Sequence, residues 1–339
     1  MINQSAWPLV DLHRHLEGSV RPETVIELSL KYGLALPTAD LEEFKQHIYL
    51  LEPMNNLMDI LPKFNLLRQI YLDYEICRRV TIECISDAWQ EGVDYVEIRF
   101  SPVFMAELHG LDPQSVTSAV CEAWQEMDRL RPGASKLIVI LSRTYGPEVC
   151  EIELEAALSH RNHGIVGIDL AGDEASKPAG LFRSHFQRAE AAGLHLTAHA
   201  GEFAGSESVR EAIESLRPER IGHGVHAIND QAVMEQILEN GIAVESCPTS
   251  NYLTNSIHSL REHPLPRFLQ KGIRVGINTD DPSLFKGITI QHEYRIARDM
   301  MGVDAEGIER IRQNGFLSAF MSDSERMNLK QQFAEKKVN

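Results

Sequence analysis

The chain has 339 residues, of which 43% are apolar and 24% charged, and its formal charge is −16. That composition builds a sizeable core, and the acidic balance disfavours nucleic-acid phosphates and anionic lipid as partners. Five cysteines at wide spacing, with no CxxC pair, argue against a disulfide framework and suit a reducing compartment. The opening MINQSAWPLVDLH has no basic region followed by a long apolar run, so no signal peptide is expected. No uncharged stretch approaches the roughly 18 to 20 residues of a membrane helix. A cytoplasmic protein without membrane or nucleic-acid partners is expected; its oligomeric state is not legible.

The first run, PLVDLH (8–13), leads into His13-Arg14-His15. Alternate side chains on a strand share a face, so His13 and His15 project side by side. The stretch 18–94 is too long for one crossover helix and reads as a helical insertion after the first strand. Within it, MNNLMDILPKFNLLRQIY (54–71) is a helical pattern whose apolar stripe either packs or covers a site. Apolar runs then alternate with amphipathic segments. The runs are YVEIRFS (95–101), KLIVILS (136–142), VGIDLAG (166–172), HLTAHAG (195–201), RIGHG (220–224), AVESC (243–247) and VGINTD (275–280). The segments are 77–92, 115–131, 148–160, 181–193, 206–217, 230–240 and 260–271. Several close on Gly, as in EGVDYVEI and KGIRVGI, the expected helix stop. Eight strand runs alternating with helices predict an α/β fold, a (β/α)8 TIM barrel, built as one domain over 1–339.

Chemistry in such a barrel lies at the C-terminal ends of the strands. Those ends carry His13 and His15, Ser101, Gly172-Asp173-Glu174, His199 with Glu202, His223, and Asp280-Asp281. Each has an ordinary reading. HxH pairs arise by chance in a chain with 14 histidines. Asp280-Asp281 before Pro282 suits a helix N-cap. Glu202 suits a solvated loop, and His195, near a strand start, reads as structural. Taken together, three histidines and a carboxylate at one barrel end form a site for one divalent cation. That donor set suits zinc, which lowers the pKa of a bound water towards neutrality. A second metal would need a bridging carboxylate or modified lysine after the fourth strand, and DLAGDE offers no lysine. One zinc per subunit is therefore expected; zinc and iron are not distinguished by the residues.

Seven motifs carry a resemblance: DLHRHLEGS (11–19), RFSP (99–102), GIDLAGDE (167–174), HAGE (199–202), RIGHG (220–224), ESCPTSN (245–251) and NTDDP (278–282). In order and content the chain resembles the adenosine deaminases of the amidohydrolase superfamily, most closely the bacterial ones, which RTYG (143–146) also matches. The resemblance implies zinc-dependent hydrolytic deamination at C6 of a 6-aminopurine. It implies His13, His15, His199 and Asp280 as metal ligands, His15 also bordering the substrate. It further implies Glu202 as the acid/base at purine N1, His223 beside the attacking water, Asp281 at N7 and the Gly172 backbone N–H at N3.

One position departs. Glu17 stands where adenosine deaminases usually carry Asp, which binds the ribose 5′-hydroxyl. Relatives with HLEG act on adenine, on aminofutalosine or on other 5′-modified adenosines. Adenosine and 2′-deoxyadenosine are expected first, a 5′-modified adenosine such as aminofutalosine or 5′-methylthioadenosine second, and adenine third. Deaminases of nucleic-acid bases pair HxE with PCxxC, and that combination is absent. A non-catalytic binding protein would tolerate loss of ligands, yet every ligand position is filled.

Overall fold

The computed structural model describes residues 5–55 and 59–338. Eight strands form one sheet in chain order: β1 (Val10–His15), β2 (Tyr95–Phe100), β3 (Ser135–Ser142), β4 (Ile165–Ala171), β5 (His195–Ala200), β6 (Arg220–His223), β7 (Ala243–Ser246) and β8 (Arg274–Ile277). Each pairs in parallel with the next. A bridge between Arg14 and Asp280 brings β8 back to β1. The sheet thus curls into the expected (β/α)8 barrel.

Four helices fill the insertion between β1 and β2: α1 (Pro22–Tyr32), α2 (Leu41–Ile48), α3 (Leu61–Arg68) and α4 (Tyr74–Gln90). Helices α5 (Pro102–Glu107) and α6 (Pro113–Leu130) follow β2. One helix follows each of β3 to β6: α7 (Pro147–His160), α8 (Arg183–Ala191), α9 (Ser206–Leu216) and α10 (Gln231–Glu239). Next come α11 (Pro248–Leu253) and α12 (Leu265–Lys271), then α13 (Ile290–Asp299), α14 (Ala305–Ser318) and α15 (Asp323–Val338). Local chemistry fixes several starts. The Asp73 side chain accepts the Ile76 N–H and the Asp112 side chain the Ser115 N–H, each satisfying a helix-terminal donor. Among the described residues no helix is long and apolar enough to cross a membrane.

Two expectations are corrected. The pattern over 54–71 yields a helix only over Leu61–Arg68, with Pro62 in its first turn; its residues 56–58 lie outside the described residues. The run VGINTD is regular strand only as far as Ile277. There the Asn278 side chain takes the Leu12 N–H at 2.8 Å in place of a ladder bond, and Asp281 opens a turn, not a helix. The N-cap reading of Asp280-Asp281 is thereby set aside, since the next helix starts at Ile290.

Branched apolar side chains usually fill such a barrel. Here the interior also carries Glu97, Arg99, Asp169, Arg220 and Glu245, all buried. Unpaired, each would cost several kcal/mol. They are paired throughout, and the pairing leads directly to the site.

Candidate active site

His13 and His15 leave β1 on one face, as their spacing predicted. Their Nε2 atoms lie 3.3 Å apart, and His15 Nε2 is 3.3 Å from His199 Nε2 on β5. Asp280 Oδ1 lies 3.3 Å from His13 Nε2 and 3.2 Å from His15 Nε2. One donor atom from each of the four falls within 4.8 Å of the others. Asp280 reaches this point with φ at +66°, a backbone region that non-glycine residues seldom adopt outside functional sites. A second trio, His223, Cys247 and Asp280, shares Asp280 and is therefore no separate site.

The groups behind the histidines decide what the cradle can hold. His13 Nδ1 sits 2.7 Å from Glu245 Oε2, and His199 Nδ1 sits 3.0 Å from Asp169 Oδ2. Ionised carboxylates only accept, so each Nδ1 carries its proton. In the neutral rings of His13 and His199 the Nε2 atoms then present bare lone pairs, each 3.3 Å from His15 Nε2 in buried space. Lone pairs so placed fit a cation between them, with the carboxylates fixing the tautomer from behind. Burial holds His15 down to about 4 and lowers His199 as well. For His13 the hydrogen bonds from Asp280 and Glu245 outweigh burial and raise it.

One arginine ties these two supports together. Arg99 on β2 donates from Nη1 to Asp169 Oδ2 at 2.7 Å and from Nη2 to Glu245 Oε2 at 2.8 Å. Glu245 also meets Arg220 Nε at 2.6 Å, and Arg220 Nη2 donates to Glu97 at 2.5 Å. Against the push of burial, His199 and Arg99 hold Asp169 well below the usual carboxylate range, and the two arginines do the same for Glu245. Sequence reasoning named none of Arg99, Asp169 and Glu245, although each lies inside a quoted motif.

Beside the cradle opens a cavity of about 620 Å³. Glu202 lines it and is buried, not solvated. Burial first, then Asp280 and Glu174, pushes Glu202 well above the ordinary carboxyl range. The loop carrying it is clamped by Glu174, which accepts the backbone N–H groups of Gly201, Glu202, Phe203 and Ala204. His223 Nε2 lies 3.5 Å from Glu202 Oε2, and burial keeps its ring neutral.

Asp281 also lines the cavity. It is pushed well above its ordinary value by burial and by Asp280, and its Oδ1 has no partner among the described residues. Gly18 makes room for it, because a Cβ there would overlap the Asp281 carboxyl. Gly172 borders the same cavity with φ at +109°. A side chain at that position would collide with the Thr144 hydroxyl, so glycine leaves the main chain bare there. Glu17 accepts the Ser101 N–H at 2.6 Å through Oε1, while Oε2 stays unpartnered; burial lifts its carboxyl to about 8. Residues Ile60, Leu61, Phe64 and Arg68 of the insertion wall the far side. His195 lies instead at the strand start, paired with Glu219 at 2.8 Å, as a structural reading requires.

A (β/α)8 barrel whose strand ends gather three imidazoles, one aspartate and a buried acid is a metal-dependent barrel of the amidohydrolase type. The match to known proteins is narrower: the family described as adenosine deaminase matches over residues 8–336, and the chain belongs to that family. It is 46% identical over 326 residues to an adenosine deaminase of Edwardsiella ictaluri (strain 93-146), covering 96% of this chain and 97% of the relative. It is 45% identical over 329 residues to one of Escherichia coli (strain SE11), covering 97% and 98%. Among solved structures, an adenine deaminase from Arthrobacter aurescens superposes with a TM-score of 0.87 at 26% identity, over 98% of this chain and all of that one. An amidohydrolase from Burkhoderia ambifaria, described with bound Zn, superposes at 0.84 with 23% identity, over 98% and 91%.

Proposed function

We propose that this chain hydrolyses adenosine and 2′-deoxyadenosine to inosine and 2′-deoxyinosine plus ammonia, with one zinc ion per subunit held by His13, His15, His199 and Asp280. The observation that carries the reading is that two buried carboxyls, Glu202 and Asp281, and the bare main chain at Gly172 line one cavity beside the cation cradle. A 6-aminopurine offers lone pairs at N1, N3 and N7. Burial pushes the carboxyls of Glu202 and Asp281 well above the ordinary range, which favours their O–H forms as two donors, and Gly172, which also lines the cavity, is assigned the third through its backbone N–H. Glu202 is assigned to N1, Gly172 to N3 and Asp281 to N7. Relatives named adenosine deaminase at 43–46% identity over nearly the whole chain support the substrate. The imidazole and carboxylate donor set supports zinc.

When bound, the cation supplies Lewis acidity and lowers the pKa of its water. The residues do the rest. Glu202 gives its proton to N1, which draws electron density from C6 and makes it electrophilic. His223 faces the oxygen that adds at C6 and steadies the developing charge. Of the two protons that the attacking water loses, one reloads Glu202 and the other goes to the exocyclic nitrogen, so that the C6–N bond breaks and ammonia leaves. The donors at N3 and N7 hold the ring in register for that attack.

Glu17 supports a second reading. Glu17 lines the cavity with one carboxyl oxygen, Oε2, unpartnered among the described residues, and its side chain is one methylene longer than Asp. A 5′-modified adenosine, of the aminofutalosine or 5′-methylthioadenosine type, is the alternative; free adenine ranks third. Ammonia release from adenosine, 2′-deoxyadenosine, 5′-methylthioadenosine, aminofutalosine and adenine, with metal analysis of the same sample, decides. Adenosine and 2′-deoxyadenosine are expected to give the highest kcat/KM, with one zinc per chain. Preference for a 5′-modified nucleoside would reassign the substrate, and an active metal-free preparation would remove the cradle from the reaction. The compartment we assign is the cytoplasm, supported by five cysteines that are all buried and unpaired.

A further inference from the structure

We infer that Asn251 and His263 are positioning residues that lock His223 in the tautomer with its proton on Nε2, so that His223 meets the reacting centre as a hydrogen-bond donor and not as a base. This rests on the role given to His223 above. The chain of contacts starts from a group that has no choice. The backbone N–H of Leu265, at the start of α12, points at His263 Nδ1 from 3.1 Å. A ring nitrogen that accepts carries no proton, so neutral His263 must carry its own on Nε2. Burial lowers His263 to about 3, which keeps the ring neutral across the working range.

His263 Nε2 lies 3.2 Å from Asn251 Oδ1 and 3.4 Å from Ser246 Oγ. Its N–H needs an acceptor, and the Asn251 carbonyl is the nearer one. That sets the amide: oxygen toward His263, nitrogen toward His223. Asn251 Nδ2 is 2.9 Å from His223 Nδ1. An amide nitrogen only donates, so His223 Nδ1 accepts and the proton sits on Nε2. Turning the amide over would set two N–H groups face to face at His263. Reversing His263 as well would set its Nδ1–H against the Leu265 N–H. Each reversed state therefore opposes donor to donor. His223, Asn251, His263 and Leu265 are all buried, so solvent is poorly placed to rescue such a clash. The His223 backbone, at φ +62°, is held in a rarely populated region as well.

The test uses the zinc-loaded full chain with nitrogen-15-labelled histidine. Long-range proton–nitrogen correlation reads which ring nitrogen is protonated, and the His223 signals are assigned by their loss in His223→Gln. In the unaltered protein His223 and His263 are each expected with Nε2 protonated and Nδ1 bare. His263→Leu frees the Asn251 amide to turn. His223 should then show both tautomers, and kcat on adenosine should fall about tenfold or more, the order expected for one lost hydrogen bond. KM and zinc content should hold. His263→Gln again offers an N–H to Asn251 and should restore both the spectrum and most of kcat. A proton on His223 Nδ1 in the unaltered protein overturns the inference, and that measurement stands even if a variant does not fold. An unchanged tautomer in folded His263→Leu overturns it too. The spectrum reads the tautomer and turnover reads the activity, so failure of one is distinguishable from failure of the other.

Discussion

Glu202 and Asp281 share one cavity and burial pushes both carboxyls well above the ordinary range, yet only Glu202 is asked to give its proton away. A glutamine at 202 keeps the length and can donate an N–H to N1, but it cannot transfer a proton. Glu202→Gln should therefore bind adenosine and keep its metal while kcat falls by roughly 10²- to 10⁴-fold, the usual weight of general acid catalysis. Steady-state ammonia release alongside metal analysis checks this, and an undiminished kcat would take Glu202 out of the role. Gly222 is the neighbouring case of a residue whose absence of side chain matters. A Cβ there would stand 2.9 Å from His13 Cε1 and 3.4 Å from the His199 backbone. The His13 ring cannot retreat, because Glu245 holds its far side. Gly222→Ala should move one ligand by a few tenths of an ångström and cost about tenfold or more in metal affinity. Competition against a chelator measures it; unchanged affinity would show that the ring has room to give. That His13, His15, His199 and Asp280 would gather was legible because their residue types are few and their spacing on strands is fixed. Arg99, Asp169 and Glu245 were not, because a charged residue inside a strand shows its partner only when distant strands are brought across the barrel.

At the scale of elements, eight strands could be read from apolar runs because both faces of a barrel strand are covered. Their ends were less legible. At Asn278 a side chain substitutes for the backbone ladder, and no periodicity announces that. Nor does periodicity show how helices pin the strand ends. Glu153 on α7 accepts the Ser101 hydroxyl at 2.5 Å and the Ser142 N–H at 2.6 Å, so it ties together the turns after β2 and β3. Burial lifts its carboxyl from 4.5 to about 7. In the unfolded chain this group loses its proton near 4.5, whereas in the folded chain it keeps it to about 7. Between those values the unfolded state binds fewer protons, so stability falls as pH rises, by at most about 1.4 kcal/mol per pH unit. Glu153→Gln has no proton to lose. Its Tm relative to the parent should climb from pH 4.5 to 7 and be flat below that window. A difference that does not vary with pH would show that Glu153 is ionised when folded.

For the whole molecule the place that closes without a regular ladder is the seam between β8 and β1. Elsewhere neighbouring strands share ladders, as in the Ile138-to-Ser142 register of β3 against β4. At the seam the backbone contact is the bridge at Asp280, where His15 N–H donates to Asp280 O at 2.9 Å and Asp280 N–H to His13 O at 2.8 Å, and side chains add Leu12 N–H to Asn278 and the Thr279 hydroxyl to Asp11. From outside, α14 lies against both edges. A Cβ on Gly315 would meet Val10 Cγ2 at 2.9 Å, and a Cβ on Gly276 would meet the Gly315 Cα at 3.3 Å, so two glycines let helix and strands approach. From inside, three of the four cradle residues, His13, His15 and Asp280, belong to the two sides of this same seam. A cation there joins β1 to the segment after β8 as well as serving chemistry, and a ligand that binds only the folded state raises stability. Removing it with a chelator should lower Tm and abolish deamination, with zinc restoring both. Because the loss is local, hydrogen exchange should quicken over residues 10–15 and 274–281 while residues 135–142 and 165–171 keep their protection. Exchange that rises evenly around the barrel would mean that the cation stabilises the fold as a whole and does not clip its seam.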